Sequence, residues 1–271
     1  MPELPEVETT RRGIAPHLER AQVTEMIVRE RRLRWPIPPE LPDAVVGRAL
    51  LGLERRAKYL LFGFEHGTLL VHLGMTGTLR VLTEPFPAEK HDHVDIVLDN
   101  GRRLRFRDPR RFGAMLWHSG PPDTHPLLAA LGPEPLSEAF NTDHLAQALA
   151  RRQAAIKQVI MDNHVVVGVG NIYASESLFR ARVDPRRNAA GLSGEEIARL
   201  VAAIRETLTD AIRAGGTTLR DFVDSDGRSG YFLLQCFVYG RTGEPCRVCG
   251  TPIQQLRQGQ RATFFCPTCQ H

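Results

Sequence analysis

Apolar residues recur at helical spacing from the very start of the chain. Leu4, Val7, Ile14 and Leu18 share one face of a helix with 3.6 residues per turn. Pro5 suits the first turn of such a helix, because the N–H that it lacks would have no partner there. The pattern therefore predicts an amphipathic helix that begins almost at the chain terminus.

The pattern then changes to short apolar runs that are typical of β-strands. Between Val23 and Trp117 these runs include KYLLFGF, TLLVHL, TLRVL, HVDIVL and RRLRFR, and Gly, Pro and Asn-Gly signals separate them. Asn100-Gly101 predicts a two-residue hairpin turn, because both residue types accept positive φ values. A series of short strands of this kind predicts a β-sandwich or a β-barrel.

A stretch rich in proline and glycine precedes a helical second part. The segment 119–135 has the composition of an interdomain linker or hinge. The clearest helix beyond it begins at Ser193, where Glu196 completes a capping-box pattern, and Gly215-Gly216 ends it. Its apolar positions follow helical spacing: Ile197, Leu200, Val201, Ile204, Leu208 and Ile212. The polar stretch Thr217–Gly230 predicts a loop.

Composition and charge narrow the function classes. The 271 residues are 42% hydrophobic and 24% charged, so the chain should fold. Its apolar stretches are far shorter than the ~20 residues of a membrane-spanning helix. MPELPEVE is acidic where a signal peptide is basic, so we expect a cytoplasmic protein. A net charge of +4 permits a polyanionic partner, and only Lys58, Lys90 and Lys157 among the 35 basic residues are lysines.

Four of the five cysteines form two CxxC pairs near the C-terminus. Cys246 and Cys249 are separated from Cys266 and Cys269 by sixteen residues, the spacing of a four-thiolate zinc site on two tight turns. Redox chemistry and an iron–sulfur cluster are alternatives, but two pairs joined by an insert of hairpin length favour structural zinc. Cys236 lies in the apolar run YFLLQCFVY, and we expect it to be buried.

The N-terminus offers unusual chemistry. Removal of the initiator methionine would leave Pro2 as a secondary amine that can form a Schiff base with an aldehyde-like carbon. Glu3 beside it can deliver and accept the protons that this chemistry requires. Alternatively, Pro2 is an ordinary leader residue and Glu3 offsets the helix dipole. Lys58 can act as a cation for phosphate or as an acid, or it is simply a solvated residue at a strand end.

Three further segments have features of nucleic-acid-binding proteins. In DPRRFG, Arg110 and Arg111 precede Phe112, and a guanidinium beside an aromatic ring can fill the space that an extruded base leaves in a stack. In GVGN, two glycines and Asn171 predict a helix start whose backbone N–H groups can meet an anion. Arg261 lies on the hairpin between the cysteine pairs, and such ribbons can enter a DNA groove.

Taken together, these motifs resemble the formamidopyrimidine-DNA glycosylase family of base-excision repair enzymes. The resemblance spans the chain and rests on PELPEVE, RRAKYLLF, LGMTG, KHDHVDIVL, DPRRFGAM, MDN with VVGVGNIYASESLF, GTTLRDF, YGRTGEPC and QRATFFCPTCQ. It implies an α+β multidomain fold with an N-terminal β-sandwich and flanking helices over 1–118 and a hinge over 119–135. A helix-two-turns-helix DNA-binding domain over 136–235 and a four-cysteine zinc finger over 236–271 would follow.

The resemblance also implies roles for individual residues. Pro2 would attack C1′ of the damaged nucleoside, Glu3 would donate and accept protons, and Lys58 would bind phosphate and assist the lyase step. Arg261 would grip the phosphates at the lesion. The residues that would fill the void after base flipping are Met75, Arg110 and Phe112, and those that would contact the DNA backbone are His91, Arg110, Lys157 and Asn171.

The implied reaction is hydrolysis of the N-glycosidic bond to an oxidised purine, such as 8-oxoguanine or a formamidopyrimidine, followed by β- and δ-elimination at the abasic site. The implied partner is double-stranded DNA that contains oxidised purines, and no membrane is implied as a partner. The implied cofactor is one structural Zn²⁺. We expect a monomer that is associated with the nucleoid. The nearest alternative is an endonuclease VIII-like glycosylase for oxidised pyrimidines, and a non-catalytic zinc-ribbon DNA-binding protein is an alternative from another class.

Overall fold

The computed structural model describes residues 2–84, 86–216 and 235–271. Two compact units divide the chain, one within 1–129 with 215–216 and the other over 130–214 with 235–271. The predicted loop Thr217–Gly230 lies outside the described residues. Within the described ranges, no helix is both long enough and apolar enough to span a bilayer.

The predicted N-terminal helix is confirmed as α1, Leu4–Leu18. Pro5 occupies its first turn, and Val7, Ile14 and Leu18 join the core of the first unit. A short helix α2, Leu41–Val45, contributes Leu41 and Val45 to the same core. The apolar face of α1 therefore fixes the chain terminus against the strands that follow.

Two four-stranded antiparallel sheets form the rest of the first unit. One has the order β2-β3-β4-β8, with β2 at Gly52–Arg56, β3 at Tyr59–Phe64, β4 at Gly67–His72 and β8 at Ala114–His118. The other has the order β1-β6-β7-β5, with β1 at Val23–Val28, β5 at Thr78–Leu82, β6 at Asp92–Leu98 and β7 at Arg103–Arg107. Both sheets supply one core that includes Phe62, Val71, Val94, Leu104 and Phe106, so the predicted β-sandwich is confirmed.

The turn between β6 and β7 differs from the predicted two-residue turn. Gly101 N donates to Leu98 O at 3.2 Å, and of Asn100 and Gly101 only Gly101 has a positive φ, 79°. The Asn100 amide instead donates to His17 O at 3.0 Å, and its oxygen accepts from Arg102 N at 3.1 Å. Because both ends of this side chain are bonded, Asn100 stays outside the left-handed region and the turn lengthens by one residue.

Helices dominate the second unit. After α3 at Pro126–Ala129, which ends the first unit, come α4 at Thr142–Leu149, α5 at Ile156–Ile160, α6 at Asn171–Ala181 and α7 at Gly194–Arg213. Ser193 Oγ accepts from Glu196 N at 3.3 Å, and Glu196 Oε2 accepts from Ser193 N at 2.8 Å. The predicted capping box of α7 is therefore confirmed.

A two-stranded ribbon closes the chain, with β9 at Gln254–Gln258 and β10 at Arg261–Phe265. Phe264 and Cys266 pack with Val238 and Ile253 in a small separate core. Cys236 is fully buried, as expected. This small core attaches the ribbon to the end of α6 through Phe179.

Candidate active site

The N-terminus of α1 holds the first pair of predicted catalytic residues. Pro2 is buried, and Glu3 is only 3% exposed. The backbone N–H of Glu3 donates to Glu6 Oε2 at 2.7 Å, and Glu6 is fully buried. Glu6 thus fixes the backbone that carries Pro2 and Glu3. Glu6 was not among the predicted site residues, although a carboxylate three residues into a helix is a capping signal.

Lys58 lies in the two-residue turn between β2 and β3, where Arg56 pairs with Tyr59. Ala57 before it has a φ of 54°, a left-handed conformation that a residue with a Cβ rarely adopts. Such backbone strain persists only where the surroundings hold the chain in place. The turn therefore presents Lys58, which is half-buried, in a defined position.

A buried carboxylate joins α1, which directly follows Pro2 and Glu3, to the hairpin that carries Lys58. Glu8 on α1 accepts from Arg55 Nε on β2 at 3.1 Å and from Arg11 and Arg12 at 2.9 and 2.8 Å. Burial raises the pKa of Glu8, but hydrogen bonds from Arg11 and Arg12 outweigh it and lower the pKa to about 2. Glu8 is therefore charged at neutral pH and links these two elements.

His72 is a neighbour of this site that the sequence analysis did not single out. It pairs with Tyr59 across β3 and β4, with the ring centroids 4.9 Å apart. Burial, and then the charges of Lys58 and Arg34, lower the pKa of His72 to about 4. Its Nδ1 accepts from Gly74 N at 3.0 Å. At neutral pH His72 is thus an uncharged imidazole whose proton is on Nε2.

The predicted void-filling residues lie on two neighbouring loops of the first unit. In DPRRFG, Arg111 N donates to Asp108 O at 3.2 Å and closes a turn with Pro109 at its second position. Phe112 is 44% exposed, and the Arg110 guanidinium lies 4.7 Å from the centre of its ring. Met75 is half-buried in the loop between β4 and β5. A cation stacked on an exposed ring suits contact with bases.

His91 belongs to the same part of the first unit. The backbone N–H of Asp108 donates to His91 O at 3.1 Å. Asp108 itself is fully buried and contacts both loops that carry Met75 and Phe112. The structure thus gathers four predicted DNA-contacting residues of this unit around Asp108, a buried residue that was not among the predicted site residues.

In the second unit, Lys157 joins the first turn of α6 to the ribbon. It is only 1% exposed, and its ammonium donates to Asn171 Oδ1 at 2.8 Å, Ala262 O at 3.0 Å and Thr263 Oγ1 at 2.8 Å. Asn171 Nδ2 also donates to Ala262 O at 3.0 Å. The ammonium is therefore surrounded by protein acceptors, and a cluster of two side chains holds the start of β10.

Arg261 is the exposed first residue of β10, next to this cluster. The turn before it contains Gly259, whose φ is 57°. A cavity of about 250 Å³ lies beside it, lined by Lys157, Met161, Gln258, Arg261 and Thr263 among others. Since Lys157 and Asn171 both bond to the carbonyl of Ala262, they fix the backbone directly after Arg261.

The four predicted metal ligands come together at the base of the ribbon. The Sγ atoms of Cys246, Cys249, Cys266 and Cys269 all lie within 4.8 Å of one another, with 3.5 Å between Cys249 and Cys266. Four thiolates bound to one zinc ion lie about 3.8 Å apart, so the donor set and its spacing fit this metal. Val248 N and Cys269 N donate to Cys246 Sγ and Cys266 Sγ, both at 3.4 Å, which stabilises thiolates. The cluster therefore has the donor set and the geometry of a structural metal site.

Two stacked sheets in one unit, with helices and a four-cysteine ribbon in the other, place this chain in the class of helix-two-turns-helix proteins with a zinc finger. Family models match accordingly: the formamidopyrimidine-DNA glycosylase N-terminal domain over residues 1–115, the H2TH domain of the same enzymes over 131–223, and a zinc finger found in FPG and IleRS over 243–271. The chain belongs to the formamidopyrimidine-DNA glycosylase family.

Relatives and solved structures resemble the whole chain. A formamidopyrimidine-DNA glycosylase of Laribacter hongkongensis is 57% identical over 271 residues, with all of both chains covered. The crystal structure of MutM (Fpg) from Thermus thermophilus has a TM-score of 0.88 and 43% identity, and covers 99% of this chain and 98% of its own. A mutant of Lactococcus lactis Fpg, in complex with DNA that contains Fapy-dG, has a TM-score of 0.92, 32% identity and full coverage of both chains.

Proposed function

We propose that this chain removes oxidised purines, such as 8-oxoguanine and formamidopyrimidines, from double-stranded DNA and then cleaves the strand at the abasic site. The observation that carries the proposal is the start of α1 in a chain that matches a relative of this family over that relative's whole length. There Pro2 becomes a terminal secondary amine when Met1 is removed, and the buried Glu3 follows it directly. A non-catalytic DNA-binding protein has no need of this arrangement.

In the proposed mechanism the Pro2 nitrogen attacks C1′ of the damaged nucleoside. The bond from C1′ to the base breaks, Glu3 moves the protons that base release and ring opening require, and an iminium ion remains between Pro2 and the sugar. Loss of a proton from C2′ then expels the 3′ phosphate, and a second elimination expels the 5′ phosphate. Water finally releases the sugar fragment and restores the amine.

Two cations assist the eliminations in this proposal. Lys58, held in the strained β2–β3 turn, binds phosphate and supports the lyase step. Arg261, at the exposed start of β10, binds the phosphates at the lesion, because an arginine fork suits phosphate oxygens. Lys58 lies in a two-residue turn and Arg261 directly follows one, and a defined backbone at both positions favours defined contacts with the DNA backbone.

The remaining predicted residues bind DNA or support those that do. We assign His91, Arg110 and Asn171 to the DNA backbone, and Met75, Arg110 and Phe112 to the space that the everted base leaves. The resemblance implies that Lys157 contacts the DNA backbone directly. Its burial and its three protein acceptors favour an indirect role instead, through the orientation of Asn171 and of the ribbon.

The metal in this proposal is one structural Zn²⁺, because a four-thiolate donor set with this spacing is typical of zinc fingers. Its binding would keep the ribbon folded and so hold Arg261 in place. The chain would act as a monomer on chromosomal DNA in the cytoplasm, associated with the nucleoid.

The nearest alternative is an endonuclease VIII-like enzyme for oxidised pyrimidines. The names of the relatives favour the purine enzyme, and the Lactococcus lactis protein holds DNA with a Fapy-dG lesion in its complex. The two activities share the proline chemistry and differ only in the base that is accepted. A test must therefore compare lesions directly.

The deciding experiment is borohydride trapping of the untagged protein on two duplexes, one with 8-oxoguanine opposite cytosine and one with an oxidised pyrimidine. We expect a reduced covalent adduct that maps to Pro2 and forms preferentially on the first duplex. An adduct mainly on the second duplex would support the pyrimidine enzyme. The absence of an adduct on both would contradict the lyase mechanism and leave DNA binding alone.

A further inference from the structure

Asp108 is a fully buried carboxylate whose two oxygens bond to two different loops. Thr76 Oγ1, in the loop that carries Met75, donates to Asp108 Oδ1 at 2.7 Å. Gly113 N, directly after Phe112, donates to Asp108 Oδ2 at 2.8 Å. One side chain therefore joins the loop before β5 to the loop before β8.

Thr76 extends this connection to a third point. Its hydroxyl oxygen accepts a hydrogen bond from the backbone N–H of Arg110 at 3.3 Å, while its O–H group donates one to Asp108. Thr76 is itself only 8% exposed. The Thr76 hydroxyl thus bonds at once to the carboxylate and to the backbone of the residue whose guanidinium stacks on Phe112.

Two glycines bring the backbones of the loops into direct contact. Gly74 has a φ of 64°, and a Cβ there would lie 2.4 Å from the carbonyl carbon of Phe112. A Cβ on Gly113 would lie 2.8 Å from His72 O. Real Cβ atoms do not approach so closely, so both positions depend on glycine. The loops touch backbone to backbone as well as through Asp108.

We propose that Asp108 and Thr76 are positioning residues that fix Met75, Arg110 and Phe112 in the arrangement that enters the DNA stack. The inference rests on the proposed function, because it concerns how these three residues fill the space of an everted base. If Met75, Arg110 and Phe112 lay on mobile loops, these loops would lose conformational entropy when the three side chains enter the stack. Loops that are already joined by buried hydrogen bonds avoid that loss, and this favours base eversion.

The informative variant is Thr76→Val, which keeps the shape of the side chain and removes the hydroxyl. It leaves Asp108 Oδ1 and Arg110 N without this partner, whereas Thr76→Ser retains both hydrogen bonds and is the matched control. Asp108→Asn is a second variant, because its amide can replace only one of the two accepting oxygens and places N–H groups against a donor. None of these changes alters a residue that is proposed to touch DNA.

The experiment measures single-turnover excision of 8-oxoguanine from a duplex and, separately, cleavage of an abasic site in a single strand, where no stack has to be filled. We expect Thr76→Val to slow excision from the duplex by at least about tenfold and single-strand cleavage by no more than about twofold. Thr76→Ser should stay within about threefold of the parent protein in both assays. Thermal unfolding and circular dichroism check that each variant is folded.

A double-variant cycle separates positioning from general stability. If Thr76 acts by positioning Phe112 and its neighbours, Thr76→Val should have little further effect on duplex excision in a protein that already carries Phe112→Ala. The inference would be overturned if the effects of Thr76→Val and Phe112→Ala on duplex excision were fully additive, if Thr76→Val slowed both assays equally, or if it left duplex excision unchanged. If Thr76→Val fails to fold, the same measurements on Asp108→Asn decide the question. If the parent protein itself excises nothing, the proposed function fails instead.

Discussion

Lys157 donates a hydrogen bond of 2.8 Å from Nζ to Oδ1 of Asn171, the first residue of α6. The two side chains also share the carbonyl of Ala262 as an acceptor. A lysine that is 1% exposed is rare unless its charge is fully bonded, and here the bonds connect a helix start to the ribbon that carries Arg261. A residue that sequence motifs suggest as a DNA contact is thus part of the interior of its unit.

We expect that a positive charge at position 157 is not by itself enough to preserve lesion-DNA binding. We expect Lys157→Arg and Lys157→Met to weaken lesion-DNA binding to a similar extent, because the larger guanidinium cannot reach the same three acceptors in the buried space. Each should also destabilise the second unit by about 3 kcal/mol. Binding titrations at several salt concentrations measure the effect. Retention of affinity and of the salt dependence in Lys157→Arg alone would show that the charge meets a phosphate directly.

The N-terminal amine should be indispensable for cleavage and dispensable for binding. We expect an N-terminal extension, or a block of methionine removal, to abolish covalent trapping, because Pro2 would then be part of an amide and no longer a nucleophile. Gel-shift affinity for a duplex that contains a stable abasic analogue should change by less than about threefold. An extended protein with full strand-cleavage activity would contradict the assignment of Pro2.

Metal binding should depend on the cysteine pairs. We expect Cys249→Ser to lose most of the bound zinc and, with it, affinity for lesion DNA, because a four-thiolate site loses a ligand and the ribbon loses its cross-link. Cys236→Ala is the matched control, since Cys236 is buried but lies outside the cluster. Elemental analysis and DNA titration check both variants. Undiminished affinity of a metal-free protein would mean that the ribbon folds without the ion.

Stability of the first unit should decrease in mildly acid solution. His72 has a pKa of about 4, against 6.5 as its ordinary value, so between these pH values the unfolded chain binds more protons and the free energy of unfolding rises with pH. The loss between pH 6.5 and about pH 5 is at most about 2 kcal/mol. Glu8 and Asp95, both with a pKa of about 2, lose their contribution only at lower pH.

His72→Asn isolates this effect, because an amide oxygen can accept from Gly74 N and does not titrate. We expect urea unfolding of this variant, followed by the fluorescence of Trp35 and Trp117, to be nearly independent of pH in this window. Burial and then His118 also lower the pKa of His125, so His125→Gln is the control. If His125→Gln and not His72→Asn flattened the profile, the titrating group would be His125.

Local patterns determined much of this protein. Helical spacing of Leu4, Val7, Ile14 and Leu18 sufficed for α1, and Ser193 with Glu196 sufficed for the start of α7, because each depends on residues within a few positions of one another. The CxxC spacing sufficed for the metal cluster for the same reason, with one hairpin bringing the two pairs together. The ordered motifs along the chain sufficed for the family.

Tertiary structure decided which residues that are far apart in the sequence form hydrogen bonds with one another. Lys157 and Thr263 are 106 positions apart, and Thr76 and Asp108 are 32 apart, so no periodicity connects them. Asn100 had the right residue type for a two-residue turn, yet a hydrogen bond to His17 O, 83 positions away, favoured a longer one. Sequence patterns report local conformational preference and burial. The partner that a buried polar group finds is decided only when the chain folds and excludes water, because it must then bond to whatever acceptor the fold brings near.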